Sequence, residues 1–256
     1  MTPHLSVVIP AYNEERAVPD AIARVATFLQ GWRGGELIVV DDGSQDRTAE
    51  LVQEAQQRYP EVRLLRCQRN RGKGYAVAQG VMASRGRYVL YTDADLVYPI
   101  EGAEAFVRAI EEGADVAIGS RSHPNTLFAL HPRHFSYIYQ RYLVGRTYIK
   151  IVNLLLGLGV SDTQCGFKVF RGEIAREIFP LLHLHDFAFD VEALYIARQR
   201  GYRIVELPVF FLYLGEQSSV ELVRDSLRML RDLFIIRQNG RRGVYRGAPA
   251  TTSPPP

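Results

Sequence analysis

The chain has 256 residues, 47% hydrophobic and 23% charged, which is ordinary globular material and enough for one large domain. Its 31 Lys and Arg stand against 28 Asp and Glu, a mild excess without the dense basic patches of a nucleic-acid binder, so no nucleic acid is expected as partner. The two cysteines, Cys67 and Cys165, lie far apart without CxxC or Cys/His spacing, which argues against a disulfide framework or zinc site and for a reducing, cytoplasmic setting.

The first residues, "MTPHLSVVIPAYNEE", have no basic n-region and only a short apolar run, so no secretion signal is expected there. Short β-branched runs then alternate with amphipathic ones: "LSVVI" before residues 14–30, "ELIVV" before 47–59, "VRLLR" before 73–84, "RYVLYT" before 99–112, and "DVAIGS" after that. This alternation predicts an α/β fold, a mostly parallel central sheet with helices on both faces. For the helix over 47–59, Ser44 or Asp46 can accept a backbone N–H at the start, and Ala49, Val52 and Ala55 recur at helical spacing. Beyond Ser120 the pattern becomes irregular, then helical from about 135 to 156. The nearest approach to a membrane span, residues 148–160, is shorter than the roughly 18 apolar residues required and contains Lys150.

Toward the C-terminus, Val220, Val223, Leu227, Leu230 and Phe234 form one helical stripe bordered by Arg224, Arg228, Arg231 and Arg237. The stripe reads as an interfacial helix meeting anionic headgroups, or as a core-facing helix whose solvated edge pairs Asp225 and Asp232 with arginines. The proline-rich end is expected to be disordered. The expected division is a main domain over 1–212, an amphipathic helical segment over 213–247 and a disordered tail over 248–256.

In an open parallel sheet, ligands bind where the loops leave the carboxyl ends of the strands. Those loops here are "PAYNEE", "DDGSQDRT", "CQRNRGKGYA", "DADL" and "GSR". Neither GxGxxG nor GxxxxGK[ST] occurs in them, which argues against a dinucleotide fold and a P-loop. Asp93 and Asp95, two apart in an extended segment, would point the same way and could bring two carboxylates to one divalent cation on a diphosphate; a solvated turn before Pro99 is an equal alternative. Each other polar residue also has a plain structural reading. Glu14 could be a first-turn acid, Gly72 and Gly74 a turn, Arg121 a salt bridge at a strand end, and Arg141 part of a solvated helical face. Asp190 could cap a helix, and Cys165 could be a packed apolar side chain.

The segments "VVIPAYNEE", "VDDGSQDRT", "NRGKGYAV", "TDADL", "GSR", "DTQCGFKVF" and "FAFDVEALYIA" occur in the order and spacing of family 2 glycosyltransferases with the GT-A fold. Over about residues 5 to 237 the chain resembles that family, and within it the dolichyl-phosphate β-glucosyltransferases and other polyprenyl-phosphate glycosyltransferases. The resemblance implies a UDP-sugar donor, UDP-glucose foremost, a Mg²⁺ or Mn²⁺ ion, and transfer with inversion to a polyprenyl phosphate. It sets Pro10, Ala11, Tyr12 and Glu14 along the nucleotide, Asp42 near its base or ribose, and Lys73 and Gly74 beside it. Asp93 and Asp95 become metal ligands flanking Ala94. Arg121 and Arg141 match acceptor-phosphate arginines, and Gln164, Gly166, Phe167 and Lys168 line the sugar and acceptor pocket. Asp95, Arg121 and Asp190 are the expected catalytic residues.

A phosphate monoester with a second pKa near ~6 needs no strong base, whereas a hydroxyl acceptor does, and related transferases to hydroxyls use an aspartate near Asp190. Three departures bear on the acceptor side. The family's tryptophan and Gly-Ser-Lys correspond to Phe211 and Gln217-Ser218-Ser219, and an arginine four residues before Arg141 is replaced by Tyr137. Two alternatives therefore stay open: transfer to a hydroxyl with Asp190 as base, and a non-catalytic nucleotide-sugar-binding protein. A lipid acceptor implies a peripheral position on a membrane surface, at its inner face.

Overall fold

The computed structural model describes residues 3–32, 34–213, 215 and 222–247. Seven strands make one sheet: β1 (Leu5–Ala11), β2 (Gly35–Asp41), β3 (Val62–Arg66), β4 (Tyr88–Thr92), β5 (Val116–Ser120), β7 (Phe167–Arg171) and β8 (Ile204–Pro208). Two more, β6 (Leu127–Leu130) and β9 (Phe210–Tyr213), pair in parallel as a separate ribbon. The order in the large sheet is β3-β2-β1-β4-β7-β5-β8. All pairings in it are parallel except those of β7, which runs antiparallel to β4 and β5. Mostly parallel is therefore right, with one reversed strand in the middle.

The inner strands are apolar on both sides because both faces are covered. On one face Val7, Ile9, Leu37 and Leu90 pack with residues of α1 (Val18–Gly31), α2 (Thr48–Arg58) and α4 (Ala103–Glu111). On the other, Val8, Ile38, Tyr91 and Phe170 pack with α3 (Lys73–Ala83), α5 (Phe135–Leu156), α6 (Gly172–Ile178), α7 (Phe189–Gln199) and α8 (Leu222–Arg241). The alternation of Val7, Val8 and Ile9 between the two cores is the two-residue period of a strand.

Helix starts depart from the sequence reading where the loops have work of their own. The first helix begins at Val18 rather than near Glu14, with Pro19 in its first turn, because Asn13 at φ 55° turns the chain out of the sheet. The cap position of the second helix is Arg47, with no side-chain cap bond; Asp46 Oδ1 accepts the Thr48 N–H at 3.0 Å from one residue before it, and Ser44 accepts the Asn13 N–H at 2.9 Å.

Among the described side chains of α8 the buried apolar residues are Leu233 and Ile236, while Leu227 and Phe234 of the expected stripe are 64% and 61% exposed and Leu230 is half-buried. The helix thus buries a stripe offset from the one read in the sequence, and Asp232 is buried, its carboxyl pKa raised chiefly by that burial against the opposing charges of Arg228 and Arg231. Arg228 pairs with Asp186 at 2.6 Å. Gln217, Ser218, Ser219, Val220, the side chains of Val223, Arg224 and Asp225, and the tail from 248 lie outside the described residues. Among the described residues no helix is long and apolar enough to cross a membrane.

Candidate active site

The parallel strands β1, β2, β4 and β5 all deliver their loops to one edge of the sheet. Because β7 is reversed, its beginning lies at that same edge: Phe167 faces Thr92 and Lys168 faces Tyr91. Residues 162–166 therefore join the loops of the parallel strands. The two carboxylates of "DAD" are not on an extended segment. Strand β4 stops at Thr92, the Leu96 N–H donates to the Asp93 carbonyl at 3.2 Å, and Leu96 takes φ 45°, so residues 93–96 form a turn. Asp95 Oδ1 accepts the Val97 N–H at 3.3 Å. Gly166 lies so close behind that a Cβ there would collide with the Asp93 carboxylate.

Lys73, the first residue of α3, reaches across to Asp93 with Nζ 2.6 Å from Oδ1. Burial disfavours its charge, but Asp93, Asp190 and Asp95 together outweigh that and hold the ammonium above its usual pKa. Glu14 faces the same group: burial, then the charges of Asp93 and Asp46, push its carboxyl pKa up. Glu14 is itself held by its backbone N–H, which donates to Thr48 Oγ1 at 2.8 Å. Pro10 and Ala11 close β1, and the Ala11 carbonyl accepts the Asp42 N–H at 2.8 Å; Tyr12 is exposed.

Asp42 is buried, and its carboxylate accepts the N–H groups of Arg71 and Gly72, the latter at 2.8 Å. It clamps the third loop where the chain needs Gly72 at φ 102°. Burial raises its pKa, and these N–H groups oppose the rise. At Gly74 a Cβ would meet Phe189 Cβ at 2.6 Å, so that glycine lets α3 close on α7. Beside Asp42 is an open cleft lined by Gly43, Ser44, Arg66, Cys67 and Gln68. The Cys67 thiol there is pushed up to about 11 by burial and by Asp42, which makes it a poor nucleophile.

Two residues, Lys168 and Asp190, take positions other than those expected, while Arg121 forms the strand-end salt bridge that was one of its two readings. Lys168 does not line an open pocket: it is fully buried, and its Nζ donates to the Cys165 carbonyl and to Asp190 Oδ1, each at 2.5 Å. Asp190 makes no helix cap; its Oδ1 also accepts the Tyr91 hydroxyl at 2.5 Å. Tyr91 and Lys168 face each other across β4 and β7, so both side chains leave the sheet on one face, where α7 brings Asp190 between them. Arg121 is gripped in bidentate fashion by Asp162, at 2.7 Å from Nε and 2.9 Å from the second nitrogen, with about a third of its side chain exposed. The Asp162 pKa is lowered because the Arg121 charge and hydrogen bonds outweigh burial.

Gln164 Nε2, Thr163 Oγ1 and Thr92 Oγ1 are buried without hydrogen-bond partners. Ala94 and Cys165 are buried, the latter with a thiol pushed up to about 12, chiefly by burial. Arg141 lies on α5, outside the strand-end loops, where it donates to the Tyr137 hydroxyl at 3.3 Å and stands over its ring. Phe211, at the place of the missing tryptophan, is half-buried between Tyr98, Phe128 and Tyr213. The Leu212 N–H donates to the Val97 carbonyl at 2.8 Å, which ties the small ribbon to the turn of Asp93 and Asp95. The sequence reading missed Asp162 and Tyr91 as partners, although both stand inside segments it had singled out.

Among the described residues, Glu14, Lys73, Asp93 and Asp95 thus come together as one acidic group with the Lys73 ammonium in it. Among the described residues no set of three or more His, Cys, Asp or Glu could hold a metal. Two carboxylates with hard oxygen donors still fit Mg²⁺ or Mn²⁺, which such sites bind through one or two carboxylates plus phosphate oxygens and water. Lys73 already marks the Asp93 carboxylate as a place for positive charge. A second cleft, lined by Arg87, Tyr88, Glu111, Arg171, Glu173 and Arg176, is at the opposite end of the sheet and takes no part in this group.

The family described as "Glycosyl transferase family 2" matches residues 6–179. Over 255 residues the chain is 35% identical to the dolichyl-phosphate beta-glucosyltransferase of Dictyostelium discoideum, covering 95% of this chain and 76% of that protein. The Homo sapiens dolichyl-phosphate beta-glucosyltransferase is 35% identical over 265 residues, with 96% and 78% covered. Among solved structures, glucosyl-3-phosphoglycerate synthase from Mycobacterium tuberculosis in complex with UDP superposes with a TM-score of 0.66 at 19% identity, over 94% of this chain and 80% of that one. The same enzyme crystallised with Mn²⁺, UDP-glucose and phosphoglyceric acid gives 0.63, also at 19% identity, with 94% and 80% covered.

Proposed function

The chain belongs to glycosyltransferase family 2, and on that premise we propose that it transfers glucose from UDP-glucose to a polyprenyl or dolichyl phosphate, with Mg²⁺ or Mn²⁺ bound at Asp93 and Asp95. The observation that carries the reading is the meeting of Glu14, Lys73, Asp93 and Asp95 at one edge of the sheet, in a chain 35% identical to dolichyl-phosphate glucosyltransferases. When bound, the metal would supply Lewis-acid stabilisation of the departing UDP. Lys73, charged and at the start of α3, offers the same diphosphate a second cation. Pro10, Ala11, Tyr12 and Asp42 border the nucleotide, with the cleft by Gly43 and Cys67 open to its base. The buried Gln164 amide, lacking an internal acceptor, suits a sugar hydroxyl.

A phosphate acceptor also agrees with the state of Asp190. That carboxylate is buried and shared by Lys168 and Tyr91, so it is poorly placed to take a proton from a hydroxyl. A phosphate monoester needs cations instead. Arg121 spends two N–H groups on Asp162, and a guanidinium carries five, so it can hold phosphate oxygens while Asp162 fixes its plane. Labelled sugar passing from UDP-glucose to a short polyprenyl phosphate in the presence of Mg²⁺ is the expected result. UDP binding without any transfer to lipid phosphate would move the assignment to a hydroxyl acceptor or a non-catalytic binder.

Residues 1–212 in this reading form the transferase domain, and the segment over 213–247 adds to a membrane-facing side. Phe135, Tyr139, Tyr142, Leu143 and Leu154 of α5 are exposed, as are Leu127 and Phe128 of β6 and Leu227 and Phe234 of α8. Arg146 and Lys150 of α5, and Arg133 in the turn before it, are exposed as well. Exposed aromatic and aliphatic side chains beside basic ones suit the headgroup boundary of an anionic membrane, at its cytoplasmic face. Vesicles containing anionic lipid are expected to sediment the protein, and Leu143→Glu to lower that partition about tenfold, the order of one buried leucine side chain. Equal recovery in the supernatant with and without vesicles would remove the membrane from the proposal.

A further inference from the structure

The ion pair of Lys73 and Asp93 joins the group assigned to the diphosphate with a group assigned to the metal. The ammonium covers Asp93 Oδ1 at 2.6 Å. The other face of that carboxylate lies against Gly166. A divalent cation approaching Asp93 therefore meets a charged competitor at one oxygen and backbone at the other. Two cations on one carboxylate also repel each other. Besides Asp93 the turn itself offers the Asp95 carboxylate, so most of the cation's coordination shell is left to phosphate oxygens and water.

A diphosphate resolves the conflict from both sides. Its oxyanions give Lys73 a partner other than Asp93, and they give the cation oxygen ligands beyond the two carboxylates. We propose that Lys73 is a gate on the metal site: it occupies Asp93 until a nucleoside diphosphate draws it away, so that metal binding is conditional on nucleotide. The gate rests on the assignment of Asp93 and Asp95 as metal ligands. It makes a nucleotide-free protein a weak binder of divalent cations, and it couples the two ligands reciprocally, each tightening the other by the same factor.

The test is Mn²⁺ binding, followed by the electron paramagnetic resonance signal of the free aquo ion, with and without UDP. Wild type, Lys73→Met, Lys73→Gln and Asp93→Asn are compared. The gate predicts that wild type binds Mn²⁺ weakly alone and much more tightly with UDP. Either Lys73 variant tightens Mn²⁺ binding without UDP about tenfold, the effect of removing one charge-assisted contact, and shrinks the UDP-induced factor by about the same amount. Two neutral substitutions guard against one of them failing to fold. If both bind Mn²⁺ alone no better than wild type, or bind it better with the UDP-induced factor unchanged, the gate is overturned. In that case loss of binding in Asp93→Asn leaves the metal assignment standing. If wild type with UDP binds no Mn²⁺, both are overturned together.

Discussion

Asp190→Asn is expected to lower stability by about 3–5 kcal/mol, a fall in Tm of roughly 6–20 °C for a chain of this length. Asparagine matches aspartate in shape, and its oxygen can still accept from Tyr91. What it cannot do is neutralise Lys168, which is fully buried with its Nζ on Asp190 and on the Cys165 carbonyl. Removing one partner of a buried pair leaves the other charge desolvated and unpaid by any Coulomb attraction, and that is where the loss arises. The double variant Lys168→Met/Asp190→Asn removes both charges and is expected to recover most of the stability.

The same pair of variants decides what Asp190 does in transfer. If the carboxylate only holds the buried pair in place, the double variant keeps much of the wild-type activity and the same pH profile. If it is the base for a hydroxyl acceptor, the double variant is stable and inactive. Thermal unfolding together with transfer at several pH values separates the two; a stable Asp190→Asn single variant would refute the buried-pair account itself.

The contrast between Asp190 and Asp93 shows what the sequence could convey. Both stood in quoted motifs, and both had an acid's two readings. The parallel strands, their apolar runs and the loops at their carboxyl ends were legible because a strand buried on both faces has few other sequences, and because βα alternation fixes which ends converge. The aspartate partners of Lys168 and Arg121 were not legible because a cation in a motif looks the same whether it meets a phosphate, an aspartate or both. Those partners, Asp190 and Asp162, are 22 and 41 residues away and meet them only through the fold. The reversal of β7 was equally hidden: beyond Ser120 the pattern is irregular, and "FKVFR" carries no sign of strand direction. That reversal puts Lys168 opposite Tyr91 and Gly166 against Asp93. The offset stripe of α8 was missed because arginines and apolar residues alternate closely enough there for two faces to qualify. Leu233 and Ile236 were chosen by packing on the helices beneath them.

Asp93→Asn and Asp95→Asn are expected to lower kcat/KM about 10³-fold or more, the loss of several kcal/mol of leaving-group stabilisation, while leaving the fold intact. The Asp93 side chain is 30% exposed and its Lys73 partner 26%, and such partly solvated pairs contribute no more than about 1 kcal/mol to stability. Tm should then move by only a few degrees, the opposite of the Asp190 outcome. The two asparagines also differ from each other. Asp93→Asn removes a metal ligand and releases Lys73 at once, so its remaining transfer should respond to added Mn²⁺ hardly at all. Asp95→Asn keeps Asp93, the carboxylate that Lys73 hands over when diphosphate binds, so high Mn²⁺ together with donor should restore part of the activity. Chelation of wild type should abolish transfer, and Mg²⁺ or Mn²⁺ should return it. Full transfer by either variant, or by the chelated enzyme, would show that the turn of Asp93 and Asp95 carries no metal and that Lys73 alone faces the departing diphosphate.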